Sequence, residues 1–301
     1  MSFLIKPTLA LMSPAGTKAR LSVLIFHRVL PVADPLFPDE MHAQRFNETC
    51  SWLKSWFNVL PLDQAAAHLK AGTLPARAAC ITFDDGYADN HDVAMPILQR
   101  HGLTATFFIA TGFMNGGRMW NDTIIETVRR RVDVPTIAAR QTTITTLIYQ
   151  IKYLPTADRV TVTEELARSF NVTLPTNLMM TCAQVKAMRQ AGMQIGAHTV
   201  SHPILARLSD DDARQQIGDS KHFLEDLLGE RVGLFAYPNG EPGYDYSPAT
   251  VELVRRLGFD AAVSTQWGAS QMGDDPLQIK RFTPWDKTRL RFGTRLLRNL
   301  F

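Results

Sequence analysis

Short apolar runs that end in polar residues, spaced by helical stretches, recur along most of this chain and restrict its fold more than any other feature. Leu21–Phe26 (LSVLIF), Ala78–Phe83 (AACITF) and Ala105–Thr111 (ATFFIAT) read as buried strands. Met193–Ala197, Leu234–Tyr237 and Asp260–Ser264 continue the series. Helices are expected between them. Asp92–His101 is one, shifted or kinked by Pro96. Asp210–Leu228 is another, opened by Ser209 with Asp212 three residues on and stopped by Gly229, and Ala249–Leu257 closes at Gly258. Strand–helix alternation over this length predicts an α/β protein with a largely parallel sheet. With no repeat or linker, residues 1–301 read as one unit. A mostly helical segment at about 120–175 (Thr123–Arg131, Ala157–Phe170) breaks the rhythm, as an insertion placed to wall a substrate cleft.

At 301 residues and 45% apolar, the chain can bury a sizeable core, which excludes disorder and fibrous classes. A net charge of +3 is too small to mark a nucleic-acid binder. Cys50, Cys80 and Cys182 form no CxxC pair and no disulfide framework. The first residues lack the long apolar core of a secretory signal, and no run is long enough to span a bilayer, so a soluble, cytoplasmic protein without an integral membrane segment is expected. The tail is distinctive: Lys287, Arg289, Arg291, Arg295 and Arg298 alternate with Leu290, Phe292, Leu296, Leu297, Leu300 and Phe301, without an acid. It reads either as a helix packed on the body with a solvated basic face, or as a peripheral contact to an anionic membrane surface.

Two sequence signals carry chemistry. Thr82-Phe83-Asp84-Asp85-Gly86 puts adjacent carboxylates at the end of a buried strand, where α/β folds place their sites. Such a pair is costly unless a cation or a proton intervenes; the plainer alternative is a loop with one helix-capping and one solvated aspartate. His198-Thr199-Val200-Ser201-His202 is the second signal. Chance alone would place about 0.2 histidine pairs at that spacing, so it carries weight mainly in company. Gly196 before it and Pro203 after it suggest a tight loop following a strand, in which both rings can converge on one ion. Two neutral imidazoles and the Asp85 carboxylate make a ligand set suited to one divalent metal ion, zinc above all, with cobalt, nickel or ferrous iron also accepted. Asp84 is then free to take a proton, and a metal beside a spare base means activated water and hydrolysis.

These residues resemble the polysaccharide deacetylases of carbohydrate esterase family 4, which carry a TFDDG strand end and an H-S/T-x-x-H loop in a distorted (β/α) barrel. Phe235-Ala236-Tyr237-Pro238-Asn239-Gly240 is similar to the third motif, so the resemblance spans about residues 21–283. It implies Asp85, His198 and His202 as metal ligands and Asp84 as general base. Tyr237 and Asn239 fall on the substrate and oxyanion side, with a backbone N–H near Asn239 as the oxyanion donor. The implied substrate is an N-acetylated amino-sugar glycan, and the implied product is acetate.

Two departures stand out. Ala236 occupies the place of the arginine that holds the base, and no histidine follows His222 to act as the acid. Both resemble the circularly permuted poly-N-acetylglucosamine deacetylases of exopolysaccharide systems, whose acid lies on the first strand. Here Ile25-Phe26-His27-Arg28-Val29 makes His27 the candidate acid, and Arg281 a replacement for the missing arginine. Trp120 and Trp285 are candidates to stack on sugars, or else core residues. A non-catalytic glycan-binding protein on the same fold and an amidohydrolase of a small nitrogenous compound are the competing functions.

Overall fold

The computed structural model describes residues 4–301. In chain order the first elements are α1 (Ile5–Met12), β1 (Arg20–Phe26), α2 (Ala43–Trp56), β2 (Asn58–Val59), α3 (Leu62–Ala71), β3 (Ala78–Phe83), α4 (Met95–His101) and β4 (Thr106–Ile109). Three helices follow, α5 (Trp120–Arg130), α6 (Ile137–Ile151) and α7 (Thr156–Ser169), and then α8 (Cys182–Gln190) and β5 (Gln194–Ala197). The rest comprises α9 (Asp210–Leu228), β6 (Leu234–Ala236), α10 (Pro248–Arg256), β7 (Ala261–Trp267), β8 (Ser270–Gln271), β9 (Ile279–Arg281) and α11 (Arg289–Asn299).

The strands form one sheet in the order β8-β1-β3-β4-β5-β6-β7-β9, with β2 on the start of β3. All pairs are parallel except β1 with β8. The sheet curls until its ends meet. Leu24 bridges Phe282 in parallel fashion, Ile25 N–H donates to the Phe282 carbonyl (3.1 Å), and Phe282 N–H donates to that of Val23 (2.7 Å). The expected α/β architecture with a distorted (β/α) barrel is what the chain forms.

Period-two alternation divides the core. Ala78 and Cys80 of β3 join Val23, Ala236, Val263 and Ile279 in the cluster enclosed by the strands, which α3 closes with Leu62, Ala65 and Leu69. Ala79, Ile81 and Phe83 point the other way, into the layer under the helices. There Phe83 stacks between Phe26 (5.2 Å) and Phe107 (4.7 Å), and Phe46 of α2 packs edge-on against it. This aromatic stack fixes the ends of β1, β3 and β4 relative to one another. Gly196 of β5 is tightly enclosed: a Cβ there would lie 2.5 Å from the Phe108 ring and 3.0 Å from the Leu234 carbonyl. Gly196→Ala is therefore expected to cost about 1–3 kcal/mol, read as a lower thermal midpoint, and to weaken metal retention because His198 lies two residues on.

The helix expected at Asp92–His101 is shifted as well as present. A wide, π-type turn over Asn90–Ala94 precedes α4. Pro96 cannot donate to a carbonyl four residues back, and the wider turn gives its ring room. The segment at about 120–175 is α5, α6 and α7, which share a small core of Ile124, Val128, Ile144 and Ile151 with Leu36.

In the tail, α11 buries Phe292, Gly293 and Leu296, and Phe292 lies against Trp52 (5.7 Å) and Trp56 (6.2 Å) of α2. Lys287 pairs with Asp39 and Arg295 with Asp286. Phe292, Leu296 and Leu300 are thus used on the protein itself, while Leu290 and Phe301 stay exposed, and nothing in the packing supports a membrane contact. Among the described residues no helix is long and apolar enough to cross a membrane.

Candidate active site

The site lies where the barrel strands end, and the sheet register assembles it. Phe26 pairs with Phe83, and Asp84 N–H donates to the Phe26 carbonyl (2.9 Å), so His27 and Asp84 leave neighbouring strands side by side. Ile109 of β4 pairs with Ala197 of β5, and its carbonyl accepts from His198 N–H (3.1 Å). The His198–His202 loop is pinned from below by the N–H groups of Thr111 and Gly112, which donate to the Thr199 and Val200 carbonyls.

Asp84 follows the inward parity of Thr82 and meets Arg281 at the end of β9. The two form a bidentate pair, Nη1 to Oδ1 at 2.7 Å and Nη2 to Oδ2 at 2.8 Å, and Arg281 Nε donates to the Ser264 carbonyl (2.7 Å). Both side chains are buried, at 3% and 1% exposure. Burial alone would raise the Asp84 carboxyl; the adjoining Arg281 charge, helped by His198 and His27, outweighs it and holds the group below the usual carboxylate range.

Asp85 sits on the turn at φ 77°, and Gly86 follows at φ 88° with Ile109 only 3.2 Å from where a Cβ would be. Asp85 Oδ1 is buried with no hydrogen-bond partner, and lies 3.5 Å from Nε2 of both His198 and His202. Two ligands at about 2.1 Å from a tetrahedral ion are separated by about 3.4 Å. The orphaned oxygen and the two ring nitrogens therefore fit a metal ion. His198 Nδ1 faces the Ala236 carbonyl at 2.7 Å, and because a carbonyl only accepts, the proton is on Nδ1 and Nε2 is free as a ligand. Burial pushes His202 down to about 4, which keeps it neutral near pH 7. For Asp85 burial acts upward, but the imidazoles of His198 and His202 that face it prevail and hold its carboxyl below the usual carboxylate range.

Among the described residues, four of the seven non-glycine positions with positive φ are here: Asp85, Thr199 (64°), His202 (51°) and Asn239 (57°). Backbone held in sparsely populated regions concentrates at sites whose surroundings over-determine it. For Thr199 the hold is visible, since its Oγ1 accepts the His202 N–H (3.1 Å).

Above these groups is a cleft of about 280 Å³ lined by His27, Asp84, Asp85, His198, His202 and Asn239, with Thr265 beside Asn239. The α5–α7 segment lines the same cleft through Trp120, Asn121, Ile148, Lys152 and Arg159. The structure thus brings His27, Asp84, Asp85, His198, His202, Asn239 and Trp120 to one cleft, with Arg281 bonded to Asp84, whereas Tyr237 and Trp285 lie outside it. Tyr237 is turned into the core, stacked on Tyr246 (3.8 Å), with its hydroxyl donating to the Leu277 carbonyl and its N–H to that of Val263. It offers the cleft no donor. Trp285 stands 61% exposed beside a neighbouring depression that also reaches His27. The sequence reading missed Asn121, Lys152, Arg159 and Thr265 as lining residues, because no motif marks them.

The family model described as polysaccharide deacetylase matches residues 71–262. This chain belongs to the polysaccharide deacetylase family. The matched deacetylase region contains both sequence motifs, whereas His27 and Arg281 lie outside it. A curated relative of the deacetylase, the polysaccharide deacetylase homologue YxkH of Bacillus subtilis (strain 168), is 22% identical over 254 residues, 84% of this chain and 67% of that protein. In fold the deacetylase resembles Streptococcus pyogenes deacetylase PplD, solved with acetate (TM-score 0.64, 21% identity, 94% of this chain and 99% of that one). It also resembles IcaB from Ammonifex degensii (TM-score 0.63, 20% identity, 93% and 98%).

Proposed function

We propose that this deacetylase removes N-acetyl groups from an amino-sugar glycan by metal-assisted hydrolysis, releasing acetate. The observation that carries the reading is the buried, unpartnered Asp85 Oδ1 between two histidine nitrogens, beside a second carboxylate that Arg281 keeps ionised. Asp85, His198 and His202 would hold one divalent ion, zinc or else cobalt or nickel, which when bound supplies Lewis acidity toward water and the substrate carbonyl.

The chain's own residues do the rest. Asp84 takes the proton of the attacking water as its oxygen bonds to the acetyl carbon. The Asn239 backbone N–H, on the turn after β6, steadies the oxyanion. His27, exposed at the cleft mouth, hands a proton to the nitrogen as the C–N bond breaks, leaving acetate and a free amine. Arg281 does for Asp84 what the absent arginine at position 236 does in relatives: it orients the base and keeps it charged.

The shape of the cleft favours a glycan over a small amide. The 280 Å³ chamber adjoins a second one of about 440 Å³, and His27, Asp85 and Asn121 line both. Trp120 in the first chamber, and Trp285 in a depression that meets the run at His27, offer stacking surfaces.

Acetate release from N-acetylglucosamine oligomers tests the reading. A chelator is expected to abolish release, and zinc, cobalt or nickel to restore it. Turnover that persists in chelated, metal-free protein would refute the proposal.

A further inference from the structure

The two walls of the 280 Å³ chamber differ in charge. On the barrel side are Asp84, neutralised by its bidentate pair with Arg281, and Asp85, which faces two imidazoles. The insertion side carries no acid in this chamber, only Lys152 at the end of α6 and Arg159 in α7. The Lys152 ammonium lies 5.5 Å from the Tyr153 ring and is in no ion pair among the described residues. The Arg159 guanidinium lies 5.4 Å from the ring of Trp120, which lines the same chamber. Between them Asn121 contributes a buried Oδ1 with no hydrogen-bond partner.

The hydroxyls of a neutral sugar can be held by uncharged donors and need no cation. Beside a site built for a divalent ion, further positive charge opposes metal binding, so it is a cost unless the ligand itself is negative. We propose that the substrate carries an anionic group, a phosphate or a carboxylate, on or next to the acetylated sugar, and that Lys152 and Arg159 receive it. The Asn121 carbonyl then accepts a hydroxyl or amide N–H of the same sugar. The insertion is in this way the specificity element of the enzyme, and the barrel supplies the chemistry. The inference rests on the deacetylase reading for its substrate, but binding tests it separately.

The test is calorimetric titration of the metal-loaded full chain and of Lys152→Met with three probes: N-acetylglucosamine 1-phosphate, N-acetylmuramic acid and N-acetylglucosamine. Lys152 is partly exposed at a helix end, so the variant should fold. At low salt at least one anionic probe is expected to bind roughly ten-fold tighter than the neutral sugar. That excess should shrink at high salt, and Lys152→Met should bring it to within about two-fold. Preference for one anion alone identifies phosphate or carboxylate as the group read; preference for both means that charge is read. Equal binding of all three probes overturns the inference, and so does a preference that survives in Lys152→Met, which would place the anion on the metal instead. Acetate released from neutral oligomers without anionic preference would sink this inference and leave the deacetylase reading standing. Anionic preference without acetate release from any probe would do the reverse.

Discussion

Asp84→Asn is expected to keep its metal and lose turnover by about 100- to 10,000-fold, the span associated with a positioned general base. The substitution is nearly isosteric and touches none of the three ligands, so metal content by elemental analysis should match wild type while kcat collapses. The amide cannot take a proton from water, yet its oxygen can still accept one Arg281 hydrogen bond, so the cleft should keep its shape. Wild-type turnover in a metal-loaded Asp84→Asn enzyme would remove Asp84 from the mechanism.

Arg281→Met has the second large effect, on stability as well as rate. Removing one partner of a buried pair leaves the other charge uncompensated, at a cost of about 3–5 kcal/mol. Denaturant unfolding should show this loss, and Arg281→Lys should recover part of it, since an ammonium supplies the charge without the two-pronged geometry. The pH dependence has a definite sign. The folded-state pKa of Asp84 is depressed, so the pair's stabilisation is full above the unfolded carboxyl value of about 3.9 and is lost as pH falls through the lower folded value. The stability gap between wild type and Arg281→Met should therefore be constant near neutral pH and close in acid. Turnover should fall too, because an unheld Asp84 is neither oriented nor reliably ionised. A fully active Arg281→Met enzyme would show that the pair is structural only.

Much of this was readable from residue order. Thr82–Gly86 and His198–His202 are short because one strand end or one tight loop builds each, and local spacing encodes local geometry. His27 was reachable for the same reason, as the residue after a buried strand. Tyr237 shows where such reading fails. A motif gives a position along the chain, while strand alternation gives the direction: Leu234 and Ala236 face the enclosed core, and Phe235 and Tyr237 face outward beneath the helices. Applied to β6, period two would have turned Tyr237 away from the cleft. The bond between Asp84 and Arg281 spans 197 residues, so no local signal carries it, and Arg281 is reached only as a stand-in for the arginine missing at position 236. Likewise α6 escaped notice because its Thr-rich, β-branched sequence has weak helical character. In the basic tail, Phe292 meets the α2 tryptophans, a pairing that the tail's own sequence does not announce.

The seam between β1 and β9 also sets an order in time. The two motifs that could hold a metal ion lie between residues 82 and 202, whereas the strand that closes the barrel and brings Arg281 to Asp84 spans Ile279–Arg281. During synthesis the candidate ligands leave the ribosome first, and the guanidinium that pairs with Asp84 emerges some eighty residues after His202. The nascent chain thus passes through a stage with all three candidate ligands made but Asp84 unheld, and in the proposed mechanism competence for hydrolysis arrives with β9.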